Sequence, residues 1–467
     1  MRRFASLAVI AAVLSAGAAA AQDAEAIRTA EQLRDRAMQG SGAYAVVEEI
    51  TTRFGPRLAG TEAEQRAAAW GEAYLRREGF QNVRQETFPL AVWTRGIDRA
   101  EIVGDHAQPL SVVALGGSGA TAEGGVEAEA VIFETYQQML DAPEGALRGK
   151  IAVVLQETVR MQDGSGYGVT STIRGQGPEE AARRGAVGFL LRSLGTHDHR
   201  FAHTGATRWL DEPIPSFALS PPDAEQLARI AALSNRPLRL RLHSGAGRVL
   251  EGRSQNVIAE VRGREAPEEV IVIGAHMDSW DLGTGAIDDA AGIAIVTRAA
   301  RLIADLPERP RRTIRVVWFG AEEVSQPGGT GLAGGRDYVT RHRETFDRHV
   351  AASESDFGAR PIYSLALPAG FSDQTFLAAA RRVLTPIGVN VSPAPNQGGG
   401  PDIIPMATAG VPTFRLNQDG SDYFDTHHTV DDVIDRIEPE DLDQNVAAWA
   451  AVLWLMADSE VSLRPAS

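Results

Sequence analysis

Short apolar runs alternate with amphipathic segments along most of the chain, and this alternation predicts strands followed by helices. Residues 62–77 carry apolar side chains at helical spacing, and Gly79 stands where that helix would end. From Asn256 onward the order strand then helix occurs three times, as strands 270–274, 313–319 and 349–352 and helices 290–305, 331–343 and 375–383. This order indicates an α/β fold with a mostly parallel central sheet and helices on both faces.

The segment 111–249 has a different pattern, rich in glycine and in short apolar runs such as Ile151–Leu155. We therefore expect an inserted β-rich domain at 111–249 and a second domain made of 22–110 and 250–467. At the amino terminus, Arg2 and Arg3 precede an apolar run that is shorter than the roughly 20 residues a membrane span needs. We predict a signal peptide at 1–21, export to the periplasm or the extracellular space, and no stable membrane span in the mature chain.

Charge and cysteine content narrow the function classes. The formal net charge of −15 disfavours nucleic acid as a partner, because such binding draws on basic groups that neutralise phosphates. The chain has no cysteine, which excludes disulfides, thiolate metal ligands and a cysteine nucleophile. A metal site would have to use histidine, aspartate and glutamate.

Polar clusters follow the predicted strands, where the chemistry of an open α/β sheet gathers. His276 and Asp278 follow strand 270–274, so the imidazole can bind a metal while a carboxylate orients it; an ordinary strand-end histidine is the alternative. Adjacent Glu322 and Glu323 follow strand 313–319, where their charges repel unless they share a cation or a proton.

Asp288 and Asp289 open a predicted helix, whose positive end either acid would also suit. The preceding Gly283-Thr284-Gly285 is similar to the glycine-rich loop of a dinucleotide-binding site. The charge of Asp288 would repel a pyrophosphate, so we predict no organic cofactor. Two weaker clusters, 353–358 and 425–432, add carboxylates and histidines. Together the clusters supply the ligand types of a paired metal site in which one carboxylate bridges two ions.

The order of these clusters resembles the co-catalytic zinc aminopeptidase family (zinc exopeptidases), and within it the carboxypeptidase Q branch. The resemblance is carried by His276-x-Asp278, Asp288-Asp289, Glu322-Glu323, Glu354-Ser355-Asp356 and His428-Thr429-Val430-Asp431-Asp432, with further matches at Phe54–Gly60 and Gly398–Ile403. It implies the phosphorylase/hydrolase-like fold of zinc exopeptidases. It also implies two zinc ions per chain, one held by His276, Asp288 and Asp356 and the other by Asp288, Glu323 and His428.

The resemblance assigns further roles. Glu322 would be the general base that activates the water between the metals, and Asp278 would orient His276. The peptide bond between Asp288 and Asp289 would be cis. His427 competes with His428 as a ligand, and Glu354 competes with Asp356; the family's motif spacing favours His428 and Asp356.

The implied activity is hydrolysis of dipeptides or short unblocked peptides by a carboxypeptidase, dipeptidase or aminopeptidase. The motifs do not indicate whether the enzyme recognises the amino or the carboxyl end of the substrate. A glutaminyl-cyclase-like acyltransferase with one zinc and a non-catalytic binding ectodomain are the alternatives, and the complete ligand set argues against both. The same resemblance implies a homodimer.

The inserted segment resembles a protease-associated domain through 147–154, 180–188 and 214–217, which implies that it shapes the cleft. Within it, His197, His199 and His203 lie close together between two glycines. We expect a solvated loop there, with a substrate-facing His203 as the alternative.

Overall fold

The structure is a computed structural model that describes residues 24–395 and 398–464. The predicted signal peptide lies outside these residues. Within them, every helix is either too short or too polar to cross a bilayer.

The helices are α1 (24–38), α2 (Ala43–Phe54), α3 (Glu62–Arg77), α4 (Tyr136–Leu140), α5 (Ser165–Arg183), α6 (Pro221–Leu233), α7 (Ala291–Ala304), α8 (Ala333–His342), α9 (Gln374–Leu384), α10 (Ile404–Thr408), α11 (Tyr423–Thr426) and α12 (Pro439–Ala457). The strands are β1 (Gln81–Thr94), β2 (Asp98–Val103), β3 (Gln108–Leu110), β4 (Val112–Ala114), β5 (Val126–Phe133), β6 (Ile151–Val154), β7 (Gly188–Arg192), β8 (Ser216–Leu219), β9 (Arg239–Ser244), β10 (Gly247–Val261), β11 (Ala266–His276), β12 (Arg312–Phe319), β13 (His349–Glu354), β14 (Ile362–Leu367), β15 (Asn390–Pro395) and β16 (Arg415–Gln418).

The central sheet is mixed. Its order is β1-β10-β12-β11-β13, in which β11 runs parallel to β12 and β13, whereas β10 is antiparallel to β1 and β12. A smaller sheet, β15-β14-β16, also mixes both directions and is joined to β13 by a bridge between Ala352 and Thr413. The prediction of a mostly parallel sheet is therefore wrong. Apolar runs identify strands but not their direction, and β1 and β10, on either side of the insertion, pair antiparallel with each other.

Helices cover both faces of this sheet, as predicted. Ile271 and Ile273 of β11 pack into a core with residues of α7 and α12, while Val272 points to the other face, into a core with residues of α8 and α10. Alternation along the strand produces these two cores. The strands are therefore buried on both faces, and the polar clusters follow their carboxyl ends.

The insertion forms a separate eight-stranded sheet in the order β3-β2-β9-β5-β6-β7-β8-β4, accompanied by α4, α5 and α6. The predicted boundary at residue 111 falls between β3 and β4 of this sheet. Its strands β5 to β8 are parallel neighbours, and the 19-residue α5 makes the domain less purely β than the sequence indicated. The assignment to a protease-associated domain stays a prediction.

Gly71 of α3 tests how tightly this core is packed. A methyl group at Gly71 would overlap the buried ring of Trp318, whereas one at the exposed Gly168 of α5 would meet nothing within 4 Å. We expect Gly71→Ala to lower the free energy of unfolding by about 1–3 kcal/mol. The control Gly168→Ala should raise it by up to about 1 kcal/mol, because alanine favours helix over glycine. Urea unfolding measures both, and equal effects would contradict this packing.

His349, at the start of β13, predicts a pH dependence of stability. Burial lowers its pKa from 6.5 to about 4, and its ring nitrogens contact the Tyr338 hydroxyl at 2.9 Å and the Thr345 carbonyl at 3.0 Å. Since the unfolded chain takes up the proton first as pH falls, this group makes the free energy of unfolding drop between pH 6.5 and 4, by roughly 3 kcal/mol at most. Urea unfolding of His349→Gln across that range should show a shallower loss than the parent; identical slopes would exclude this role for His349.

Candidate metal centre

The predicted ligand residues lie together at the carboxyl ends of three central strands. His276 ends β11, Glu322 and Glu323 follow β12, Asp356 follows β13, Asp288 lies in the helical turn Ala286–Ala290 before α7, and His428 follows α11. Sequence positions more than 150 residues apart thus meet at one sheet edge, as expected for an α/β fold.

The first group is His276, Asp288 and Asp356. The Nε2 atom of His276 lies 2.9 Å from Oδ1 of Asp288 and 3.5 Å from Oδ1 of Asp356. On the other side of the ring, Nδ1 lies 2.9 Å from the main-chain carbonyl oxygen of Asp278. The three side chains offer ligand atoms within 4.8 Å of one another.

The second group is Asp288, Glu323 and His428, and it shares Asp288 with the first. The Nε2 atom of His428 lies 3.1 Å from Oδ2 of Asp288 and 2.9 Å from Oε2 of Glu323. Its Nδ1 atom lies 3.3 Å from the carbonyl oxygen of Thr204, and the indole of Trp280 donates to Oε2 of Glu323 at 2.7 Å.

These contacts orient the two imidazoles in a way that suits metal ions. A carbonyl oxygen only accepts hydrogen bonds, so Nδ1 of His276 and of His428 carries a proton, and in the neutral ring Nε2 presents a lone pair. Each lone pair faces carboxylate oxygens, an arrangement that repels unless a cation lies between. Among the described residues, Oδ2 of Asp288 and Oε1 of Glu323 are also buried with no hydrogen-bond partner.

The crowding of carboxylates in the site shifts their pKa values. Burial and the charge of Asp288 hold the pKa of Glu323 well above its usual range, and burial and Glu323 do the same to the pKa of Glu322. Bound cations would offset this concentrated negative charge.

The geometry separates the competing candidates. Oε2 of Glu354 accepts the main-chain N–H of Asp402 at 2.8 Å, and within the described residues Glu354 belongs to none of the converging ligand groups. His427 lies 3.3 Å from Oδ2 of Asp288, but its Nδ1 atom is 2.7 Å from Nε2 of His203. Asp356 and His428, the preferred candidates, converge on Asp288, whereas His427 lies near Asp288 but also converges with His203 and His428 in a group that could hold an ion.

Asp278 contacts His276 differently from the implied arrangement. Its carboxylate lies 3.8 Å from Nδ1 of His276, farther than its own carbonyl oxygen. The carboxylate instead accepts the main-chain N–H groups of Glu322 at 3.1 Å and Glu323 at 3.2 Å. Asp278 thus ties the β11 end to the glutamate pair after β12.

Unusual backbone conformations occur at the same place. The Asp288–Asp289 peptide bond is cis, as the resemblance implied. Ala321, just before the glutamate pair, and His428 have φ of 56° and 58°, values that non-glycine residues rarely adopt and that cluster at functional sites. Asp289 acts partly as the predicted cap, since its Oδ1 accepts the N–H of Gly292 at 3.0 Å.

Sequence reasoning gave no role to Arg57, which lies beneath the site. Its fully buried guanidinium donates to the carbonyl oxygens of Met277, Thr284 and Gly285 at 2.8, 2.7 and 2.9 Å. Burial lowers its pKa to about 10, against the opposing charges of nearby acids such as Asp432. The family resemblance at Phe54–Gly60 includes Arg57, but the sequence of this segment does not show which groups Arg57 contacts.

The expectation of a solvated loop around His203 is wrong. His203 and His197 are buried, and only His199 of the three histidines is exposed. The loop packs against the segment that carries His428, with the N–H of Thr204 donating to the carbonyl oxygen of His428 at 3.0 Å. Isolated polar residues between glycines gave no sign of this long-range contact.

A cavity of about 350 Å³ opens above the site and is lined by both domains. The inserted domain contributes Tyr167, Arg174 and Ala206. The remaining lining comes from Asp288, Glu322, Glu323, Asp356, Phe357, Gly400, Pro401, Ile404, Arg415, Tyr423, Phe424, His427 and His428.

Comparisons with known proteins agree with this geometry. Residues 256–453 match Peptidase family M28. Carboxypeptidase Q of Mus musculus is 31% identical over 416 residues, which cover 89% of this chain and 85% of that protein. The crystal structure of a peptidase M28 precursor from Shewanella amazonensis has a TM-score of 0.89 at 44% identity, covering 95% of this chain and 99% of that chain.

A zinc aminopeptidase from Bacillus subtilis shares the fold, with a TM-score of 0.63 at 20% identity and coverage of 90% of this chain and 96% of that chain. The mixed α/β fold, the converging ligand groups and the similarity over nearly the whole chain lead to one conclusion: this protein is a peptidase that belongs to family M28.

Proposed function

We propose that the chain is a dizinc exopeptidase that hydrolyses dipeptides or short unblocked peptides. The observation that carries this proposal is the pair of Nε2 lone pairs, on His276 and His428, that face opposite oxygens of Asp288 at 2.9 and 3.1 Å. A single carboxylate between two such nitrogens suits two ions that share a bridging ligand. The relatives support the choice of zinc, since a Bacillus subtilis neighbour is described as a zinc aminopeptidase.

The residues divide into two holding sets. His276, Asp288 and Asp356 would hold one zinc ion, and Asp288, Glu323 and His428 the other. When bound, the two ions would polarise the scissile carbonyl group and make water more acidic. The Asp278 carboxylate would keep the glutamate pair in place through the two N–H groups that it accepts.

Glu322 is the proposed general base. Its side chain is partly exposed to the cavity, whereas Glu323 beside it is buried. Its carboxylate would take a proton from the attacking water as the new C–O bond forms. It would then deliver that proton to the leaving amine as the C–N bond breaks, which returns the side chain to its starting state.

Three wider expectations stay predictions. The chain would be exported after removal of residues 1–21, the inserted domain would act as a protease-associated domain that shapes the cleft, and two chains would form a homodimer. The lining of the cavity by Tyr167, Arg174 and Ala206 supports the second of these.

Glu322→Gln tests the general base. The change removes the proton acceptor but keeps the shape, so kcat on a dipeptide should fall by about 10²- to 10⁴-fold while the zinc content stays the same. Glu144→Gln, at an exposed position of the inserted domain, is the matched control and should behave like the parent. Because Glu322 also lies within 4.8 Å of ligand atoms of His276 and Glu323, zinc content is informative. Loss of zinc would indicate a ligand rather than a base, and unchanged kcat would exclude both roles.

Metal content tests the rest of the proposal. Elemental analysis of the purified protein should give two zinc ions per chain, and exhaustive chelation should abolish hydrolysis, with recovery on adding zinc. One tightly held zinc per chain would favour the cyclase-like alternative. Full hydrolysis after complete removal of metal would contradict the proposal.

A further inference from the structure

Two arginines line the cavity, together with acids, aromatic rings, histidines and a few small or aliphatic residues. Arg174 comes from α5 of the inserted domain and Arg415 from the start of β16. Within the described residues, neither forms an ion pair with a carboxylate. A guanidinium without an acidic partner, in the cavity where hydrolysis would occur, is available for an anionic part of the substrate.

The two arginines differ in how far their donors are used. Nε of Arg174 donates to the carbonyl oxygen of Ala206 at 3.2 Å, and Nη1 donates to the carbonyl oxygen of Thr204 at 3.3 Å and to the Tyr167 hydroxyl. These bonds hold the loop that reaches His428. Arg174 therefore has a structural role, and several N–H donors of its guanidinium are already used.

The N–H donors of the Arg415 guanidinium are free of hydrogen bonds to other described residues. Its half-buried guanidinium lies 5.7 Å from the ring centroid of Phe357, within the range of a cation–π contact, and its side chain makes no hydrogen bond to another described residue. Phe357 directly follows the ligand residue Asp356 in the chain. The aromatic ring thus fixes a planar fork with its donors unused, beside one end of the metal centre.

We infer that Arg415 binds the terminal carboxylate of the substrate. This inference rests on the proposed function and deepens it, because it chooses the end of the substrate. A planar guanidinium matches a carboxylate with two parallel hydrogen bonds. In a dipeptide that carboxylate lies one residue beyond the scissile carbonyl group, about 3.3–3.6 Å along an extended chain. The enzyme would therefore release the carboxyl-terminal residue, as a dipeptidase or carboxypeptidase.

A simpler role for Arg415 is to offset the charge of the acids in the cavity. That role depends on the positive charge and not on the planar fork, so lysine at this position would retain it. A pair of substrates that differ only at the carboxyl end, combined with a charge-preserving variant, separates the two roles. We choose a dipeptide with a free carboxyl group and the same dipeptide as its carboxamide.

The experiment measures kcat/KM of the zinc-loaded full-length protein on both substrates for the parent, Arg415→Gln, Arg415→Lys and Arg381→Gln. The parent should prefer the free acid, and Arg415→Gln should lower kcat/KM for the free acid by about ten- to a hundredfold but for the carboxamide by less than about threefold. Arg415→Lys, which keeps the charge without the fork, should fall between the two. Arg381→Gln, an exposed change on α9, should match the parent.

Several results would overturn the inference. They are a parent that cleaves both substrates equally well, an Arg415→Gln variant that loses the same factor on both, and an Arg415→Lys variant that matches the parent on the free acid, as charge balance alone predicts. Thermal unfolding midpoints check that each variant is folded, and if Arg415→Gln is not, the ratio for Arg415→Lys decides. A zinc-loaded parent that cleaves no peptide with free ends would instead refute the proposed function itself.

Discussion

The repulsion between two imidazole lone pairs and a shared carboxylate is the constraint on which this site depends. His276 and His428 each donate their Nδ1 proton to a main-chain carbonyl group, so in the neutral rings the Nε2 lone pairs face Asp288. Glu323 and Asp356 place further carboxylate oxygens beside the same imidazoles. Cations resolve this arrangement better than any contact that the side chains can make among themselves.

The surrounding structure keeps this repulsive arrangement from relaxing. Arg57 ties together three carbonyl groups of the loop after β11, and Asp278 holds the backbone of the glutamate pair. The inserted domain supplies the carbonyl oxygen of Thr204 that sets the proton on His428. Both domains therefore contribute to the site, since one carries the proposed ligands and the other contacts His428.

The contacts of the inserted domain also connect the site to substrate choice. Arg174 is occupied by the loop that reaches His428, whereas Arg415, which lines the same cavity, has free donors. Two residues of the same type thus have different tasks because of what surrounds them. Composition gives no means of telling them apart.

The sequence by itself predicted the strands and helices around the site, and it placed His276, Glu322 and Glu323 at strand ends. These features are local: apolar runs and amphipathic spacing are readable over a few residues. It missed β14 (Ile362–Leu367), the mixed direction of the sheet, and the burial of His203.

The contact between His427 and His203, the carbonyl contact of Asp278 and the role of Arg57 were decided by the tertiary structure alone. Each of them depends on atoms from segments far apart in the chain, whose distances and directions only the packed fold determines.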